Sequence, residues 1–291
     1  DLFTKEVYLK DRQSLVGNST YGFHLDKHIF DEKCKDNLQA ASLFVHYTLE
    51  YIHNNEEAHP HVKNMFNSCR IPGEFVDDFI KYEYNPYICV VRNGIFFKVD
   101  VDVDVDVNNG DVNSMYDSLN KIVDIADNLE QGNIGLITAL SRDEWYKYRI
   151  NIFEKDNFEV IQKSILLLGL DKDEPNETEE KKLSNMFNIH NNRFYDKTLQ
   201  LVFSDNGNLG LLIEHSHVDG IHVQRYIDKV MCDISNVDLN EVKEQEKEVT
   251  NPKSPNFEML HFDTYKISIP KALHIQTVKI PFGVLKLSRH G

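Results

Sequence analysis

His215, Asp219 and Gly220 stand in an H-x-x-x-D-G arrangement whose residue types suit proton transfer at an alcohol. A neutral imidazole, with an unperturbed pKa of about 6.5, is the best general base near neutral pH. It needs a neighbour that fixes its tautomer and ring orientation. Asp219, four residues on, can support that turn directly or through a basic residue. Gly220 allows a tight bend and lets a ligand approach the backbone. Three fixed residues in six recur by chance, so on these residues alone a hydrogen-bonded core histidine is an open reading of His215. The same stretch spells a second chemistry: His215, His217 and Asp219 form H-x-H-x-D, the opening of a binuclear zinc hydrolase site, which calls for a further His where Gly220 stands. His217 and His222 otherwise read as exposed or hydrogen-bonded side chains.

A second pattern concerns oxygen ligands. Asp100, Asp102, Asp104 and Asp106 alternate with valines, which on a strand puts the four carboxylates on one face. A calcium loop of the EF-hand kind wants Gly at its sixth position and Glu at its twelfth. Counting from Asp102, those positions are Val107 and Val112. The expectation is a solvated strand face.

The elements that must hold His215 are legible around it. Two apolar runs, Leu199–Phe203 and Leu209–Ile213, flank Asp205-Asn206-Gly207, a hairpin signal. The second run leads straight into Glu214-His215, and Ile221, Val223, Tyr226, Ile227 and Val230 then recur at helical spacing. His215 is thus predicted where a strand ends and a helix begins. Elsewhere, residues 36–55 predict a helix capped by Asp36 or Asn37, and Tyr87–Val91 with Ile95–Val99 predict a hairpin around Asn93-Gly94. Residues 111–130 and 142–148 read as helices, and 133–138 and 164–168 as buried strands. The acidic stretches 171–182 and 233–256 read as loops. Alternating strands and helices indicate an α/β or α+β layered domain.

Composition narrows the partners. The chain has 291 residues, 41% hydrophobic and 27% charged, with a formal net charge of -15. That balance argues against general binding to nucleic acid or to an anionic membrane surface. Basic groups for an anionic ligand must be local or come from another segment. No apolar run approaches the ~20 residues of a membrane span. Cys34, Cys69, Cys89 and Cys232 form no C-x-x-C pair and read as reduced thiols of an intracellular compartment. Both ends of the chain read as cut from something longer.

Six blocks in order resemble the choline/carnitine acyltransferase family. Tyr8-Leu9-Lys10-Asp11-Arg12-Gln13 is similar to its early "YL..R.P" segment, with Ser14 where the family has Pro. Cys69-Arg70-Ile71-Pro72-Gly73 matches "CR[IV]PG", and Phe96-Phe97-Lys98-Val99-Asp100-Val101 resembles "FF..DV". Leu136-Ile137-Thr138 followed by Arg142-Asp143-Glu144-Trp145 is similar to "LT...R..WA". Asn192-Arg193-Phe194-Tyr195-Asp196-Lys197-Thr198-Leu199-Gln200 resembles "NRW[FY]DK[ST]LQ". Glu214-His215-Ser216 with Asp219-Gly220 matches "EHS..DG". The resemblance extends from about Tyr8 to Met231 and thins beyond it.

The resemblance implies a chloramphenicol-acetyltransferase-like fold, a mixed α/β sheet flanked by helices, and an active site in a tunnel between two such halves. It implies His215 as base with Asp219 as the acidic residue of the motif. Tyr8 falls at the substrate pocket and Phe3 where carnitine acetyltransferases place a tryptophan, an aromatic wall for a quaternary ammonium; Gly220 is expected among the substrate-binding residues, letting the ligand approach the backbone. The implied reaction moves an acyl group, by expectation acetyl, between coenzyme A and the hydroxyl of carnitine or choline, with acyl-CoA as co-substrate and no tightly bound cofactor or metal. Residues 1–231 correspond to the N-terminal-type half, 232–257 to an acidic linker and 258–291 to the start of the second half. The rest of that half carries the oxyanion, coenzyme A and carboxylate-selecting residues, so this chain alone is expected to be poorly active. Two other readings stay open at this point: a non-catalytic binding domain of the same fold and, third, a zinc hydrolase using His215, His217 and Asp219.

Overall fold

The computed structural model describes residues 2–55, 60–101, 110–151, 155–172, 178–237 and 257–262. In chain order the elements are α1 (Leu2–Thr4), running on as a π-helical turn (Lys5–Leu9), β1 (Thr20–Leu25), α2 (His28–Lys33), α3 (Asn37–Asn54), α4 (Pro60–Lys63), β2 (Ser68–Ile71), β3 (Asp78–Lys81), β4 (Tyr87–Arg92) and β5 (Ile95–Asp100). There follow α5 (Gly110–Asp127), a 3-10 helix (Ile134–Ala139), α6 (Arg142–Asn151), α7 (Lys155–Lys163), β6 (Leu167–Asp171), α8 (Glu179–Phe187), β7 (Leu199–Ser204), β8 (Leu209–Glu214), α9 (Gly220–Asn236) and β9 (Phe257–Met259).

Seven strands form one mixed sheet in the order β1-β8-β7-β6-β4-β5-β9, and β2 and β3 form a separate hairpin. β4, β6 and β7 run parallel to one another, and the remaining neighbours pair antiparallel. The central strands β4, β6, β7 and β8 are buried along their whole length, as strands covered on both faces must be. The larger core joins Val90, Leu168, Leu201 and Ile213 of the sheet to Phe44 of α3, Leu119 of α5 and Tyr226 of α9. The second core joins Val91, Phe96 and Leu167 to Trp145 of α6, Phe158 of α7 and Phe194. A mixed sheet flanked by helices is the expected architecture.

The predicted hairpins and long helices are present. Asn93 and Gly94 both have positive φ, 54° and 70°, as a two-residue hairpin turn demands. Asp36 caps α3 by accepting the Gln39 N–H. Three expectations are corrected. Residues 134–139 are a 3-10 helix and not a strand; a short apolar run cannot distinguish the two by periodicity. Here the backbone lies against the 191–193 segment, with a Cβ on Gly135 falling 2.1 Å from the Arg193 carbonyl. The strand expected at 164–168 begins later, because Ser164 Oγ bonds the carbonyls of Ile161 and Leu166 and so extends the turn after α7. The acidic stretches are not wholly loops: Asp171 ends β6, buried against Arg193, α8 starts at Glu179, and α9 continues to Asn236. Asp100 is exposed at the end of β5 and paired with Lys98 at 3.0 Å. Asp102, Asp104 and Asp106, with most of the acidic linker and of 258–291, lie outside the described residues.

Candidate active site

β8 delivers His215. Its residues pair with β7 on one side and with β1 on the other, in the register Tyr21↔Ile213 and Thr20↔Glu214. The next backbone N–H, that of His215, donates to the Ser19 carbonyl at 2.9 Å, so the chain is tied down until it turns into α9. The imidazole is half-buried. Its Nδ1 lies 2.7 Å from the Val218 carbonyl oxygen. A carbonyl only accepts, so Nδ1 carries the proton and Nε2 the lone pair. Nε2 has no hydrogen-bond partner among the described residues.

Aromatic rings border the imidazole. Tyr8, on the π-helical turn, lies edge-on at 5.5 Å between centroids, and Tyr21 of β1 edge-on at 4.8 Å. Phe3 lies behind Tyr8 at 6.2 Å and is 63% exposed. Burial, then Asp219 and Glu214, push the Tyr21 phenol well above its ordinary range, which keeps it neutral. The structure therefore brings together Phe3, Tyr8 and His215 as the sequence suggested, and adds Tyr21.

Asp219 points to the helix and not to the imidazole. Its carboxylate is exposed and accepts the Ile221 N–H at 3.1 Å, capping α9. It makes no bond to His215. Gly220 opens the helix, and a Cβ placed there would meet Tyr21 Oη at the ordinary contact distance of 3.8 Å. His217 faces away, stacked on Phe79 of β3 at 3.9 Å with its Nδ1 3.1 Å from Ser216 Oγ. His215, His217 and Asp219 thus have three separate sets of partners. Among the described residues no three His, Cys, Asp or Glu side chains converge as a metal site, and the H-x-H-x-D alternative is not assembled.

Behind the imidazole runs a buried ion network that the sequence reading missed. Glu214 is fully buried; it accepts from Ser19 Oγ at 2.7 Å, Ser216 Oγ at 2.5 Å and Arg70 Nη1 at 3.1 Å. Arg70 Nε donates to Asp77 at 2.7 Å, and its Nη2 to the Tyr8 carbonyl at 2.6 Å. Asp77 also takes Arg12 at 2.7 Å and Arg142 at 2.6 Å. Arg142 continues to Asp196 at 2.6 Å, which accepts the Trp145 indole N–H as well. Burial works against the charge of Arg142, but Asp196 and Asp77 on either side outweigh it and hold its pKa above the usual value. Apart from the six blocks, its trace in sequence was a charged residue directly after an apolar one, Arg70 after Cys69 and Glu214 after Ile213. Asp77, in the turn between β2 and β3, belongs to none of the blocks.

Five of the six sequence blocks supply a residue to this one network: Arg12, Arg70, Arg142 with Trp145, Asp196 and Glu214. A family model for choline/carnitine O-acyltransferases matches residues 1–277. The chain belongs to that family. It is 32% identical over 168 residues to the mitochondrial carnitine O-acetyltransferase of Saccharomyces cerevisiae, an alignment covering 54% of this chain and 25% of that one. Carnitine O-acetyltransferase of Rattus norvegicus is 29% identical over 258 residues, covering 78% and 41%. Choline O-acetyltransferase of Rattus norvegicus is 29% identical over 177 residues, covering 54% and 27%. This acyltransferase-family chain therefore spans well under half the length of these relatives. Among solved structures, a chloramphenicol acetyltransferase covers 80% of this chain and 91% of its own at 12% identity, with a TM-score of 0.34. Among the described residues no helix is long and apolar enough to cross a membrane.

Proposed function

We propose that this chain is the histidine-bearing half of an acyltransferase that moves an acetyl group between coenzyme A and the hydroxyl of carnitine or choline. The observation that carries the reading is the pairing of His215 Nδ1 with the Val218 carbonyl, 2.7 Å away, which leaves Nε2 as an unpartnered base on a half-buried ring. Nε2 takes the proton of the substrate hydroxyl as the oxygen attacks the thioester carbonyl. The C–O bond forms, the C–S bond breaks, and the imidazolium returns its proton to the leaving thiolate. Positioned proton transfer of this kind contributes roughly 10²–10⁴-fold, and orientation and oxyanion stabilisation contribute the remainder.

Tyr8 and Phe3 form an aromatic wall beside the base, suited to a quaternary ammonium group. Gly220, with no side chain of its own at the start of α9, lets a substrate approach the backbone beside Tyr21. Asp219 supports the base indirectly: it caps α9, and the residue before it, Val218, holds the imidazole through its carbonyl. In this reading residues 1–231 are the first catalytic half, 232–257 the linker and 258–291 the start of a second half, which supplies the remaining contacts to acyl-CoA. Carnitine and choline enzymes match similar shares of this chain, for example 78% and 76%, and the assay below decides between the two alcohols.

The test is release of free coenzyme A from acetyl-CoA with carnitine or with choline. It is measured on the full-length parent, on its His215→Ala variant and on this chain alone. Loss of at least 10²-fold in the variant supports the base. Equal rates in parent and variant would remove His215 from the mechanism and leave a binding domain of the same fold. The faster alcohol identifies the substrate.

A further inference from the structure

The base has one hydrogen bond on its ring and no carboxylate partner among the described residues. A single bond at Nδ1 fixes one direction but leaves the ring plane free to swing about that axis. We propose that Tyr21 is a positioning residue for His215, its ring serving as the wall that keeps Nδ1 on the Val218 carbonyl and Nε2 available. This deepens the acyl-transfer reading and depends on it only for the kinetic half of the test.

Three observations carry the proposal. Tyr21 makes the closer of the two aromatic contacts to the imidazole, 4.8 Å at 75°, against 5.5 Å at 61° for Tyr8; such edge-on pairs are favourable and directional. Its backbone is locked to the base by sheet register, since Tyr21 pairs with Ile213 and the neighbouring Ser19 carbonyl takes the His215 N–H. Tyr8, by contrast, comes from a helical turn with no strand register behind it. Finally, Tyr21 Oη is buried and makes no hydrogen bond among the described residues. A buried hydroxyl without a partner stabilises nothing, so what Tyr21 does for His215 it does with its ring.

That last point makes the test clean. The parent, Tyr21→Phe, Tyr21→Leu and the longer, unbranched Tyr21→Met are compared by long-range proton–nitrogen correlation of 15N-labelled histidines, with His215→Ala identifying the His215 signals. The wild-type chain and Tyr21→Phe are expected to give one neutral form protonated at Nδ1. Tyr21→Leu and Tyr21→Met are expected to populate the form protonated at Nε2. In the full-length parent, Tyr21→Phe keeps kcat within about three-fold, whereas the aliphatic variants lower kcat at least about ten-fold with KM little changed. An unaltered tautomer signal in either folded aliphatic variant overturns the proposal whatever the activity. So does a Tyr21→Phe variant as impaired as Tyr21→Leu, because the hydroxyl would then be the working part. If His215→Ala is as active as the parent, the acyl-transfer reading fails while the spectra still decide the positioning role.

Discussion

Arg70→Met tests the claim that the ion network holds the His215 turn in place. Arg70 is 1% exposed and lies between two carboxylates that are wholly buried, Asp77 and Glu214. Asp77 keeps Arg12 and Arg142 when Arg70 is removed. Glu214 keeps only hydroxyl and backbone donors, from Ser19 and Ser216, and loses its cation. Removing one partner of a buried pair costs about 3–5 kcal/mol, because the other charge is left desolvated. The loss includes the bond from Arg70 to the Tyr8 carbonyl, so both the imidazole's strand and one of its aromatic walls are released. With a urea m-value near 3 kcal/mol/M, the denaturation midpoint should fall by about 1–1.7 M at unchanged slope. Adding Glu214→Gln should recover at least about 1 kcal/mol, read as the coupling term of a double-mutant cycle. A loss below about 1 kcal/mol, or strict additivity, would refute the reasoning: the pair would then be hydrated like a surface ion pair.

Two further outcomes follow from single side chains. Asp219→Ala should cost about 1 kcal/mol of stability, the usual effect of losing a helix N-cap, and Asp219→Asn much less; thermal denaturation of the two variants checks this. Burial pushes His46, 8% exposed on α3, from 6.5 down to about 4. The unfolded chain therefore binds a proton that the native chain refuses between those values. Stability falls as pH drops from 6.5 through 4, by about 3 kcal/mol from this residue. His46→Phe should flatten that part of the pH–stability curve, and an unchanged slope in urea titrations across the window would contradict the assignment.

The local sequence carried much of the local structure. Positive φ at both hairpin positions selects Asn93-Gly94, a 3.6-residue period selects α3 and α9, and an apolar run meeting Glu214-His215 places the base at a strand end. These features depend on neighbours a few residues apart, so they survive in one dimension. Short apolar runs did not resolve: 134–139 is helical because of what it packs against, and 164–166 belongs to a turn because of side-chain bonds from Ser164. The blocks that resembled a family were visible one by one, but not the reason for their residue types.

That reason is tertiary. The sequence by itself determined that His215 would stand at a strand-to-helix junction with Asp219 at the start of the helix. Only the folded chain decided that Asp219 caps that helix while the Val218 carbonyl takes the imidazole proton. It also decided that Tyr21, 194 positions earlier in the chain, lies against the base, and that Arg12, Arg70, Arg142 and Asp196 meet Asp77 and Glu214 behind it. Contacts of that kind are set by strand order and helix packing, and residues so far apart leave no periodic trace by which a reader of the chain could pair them.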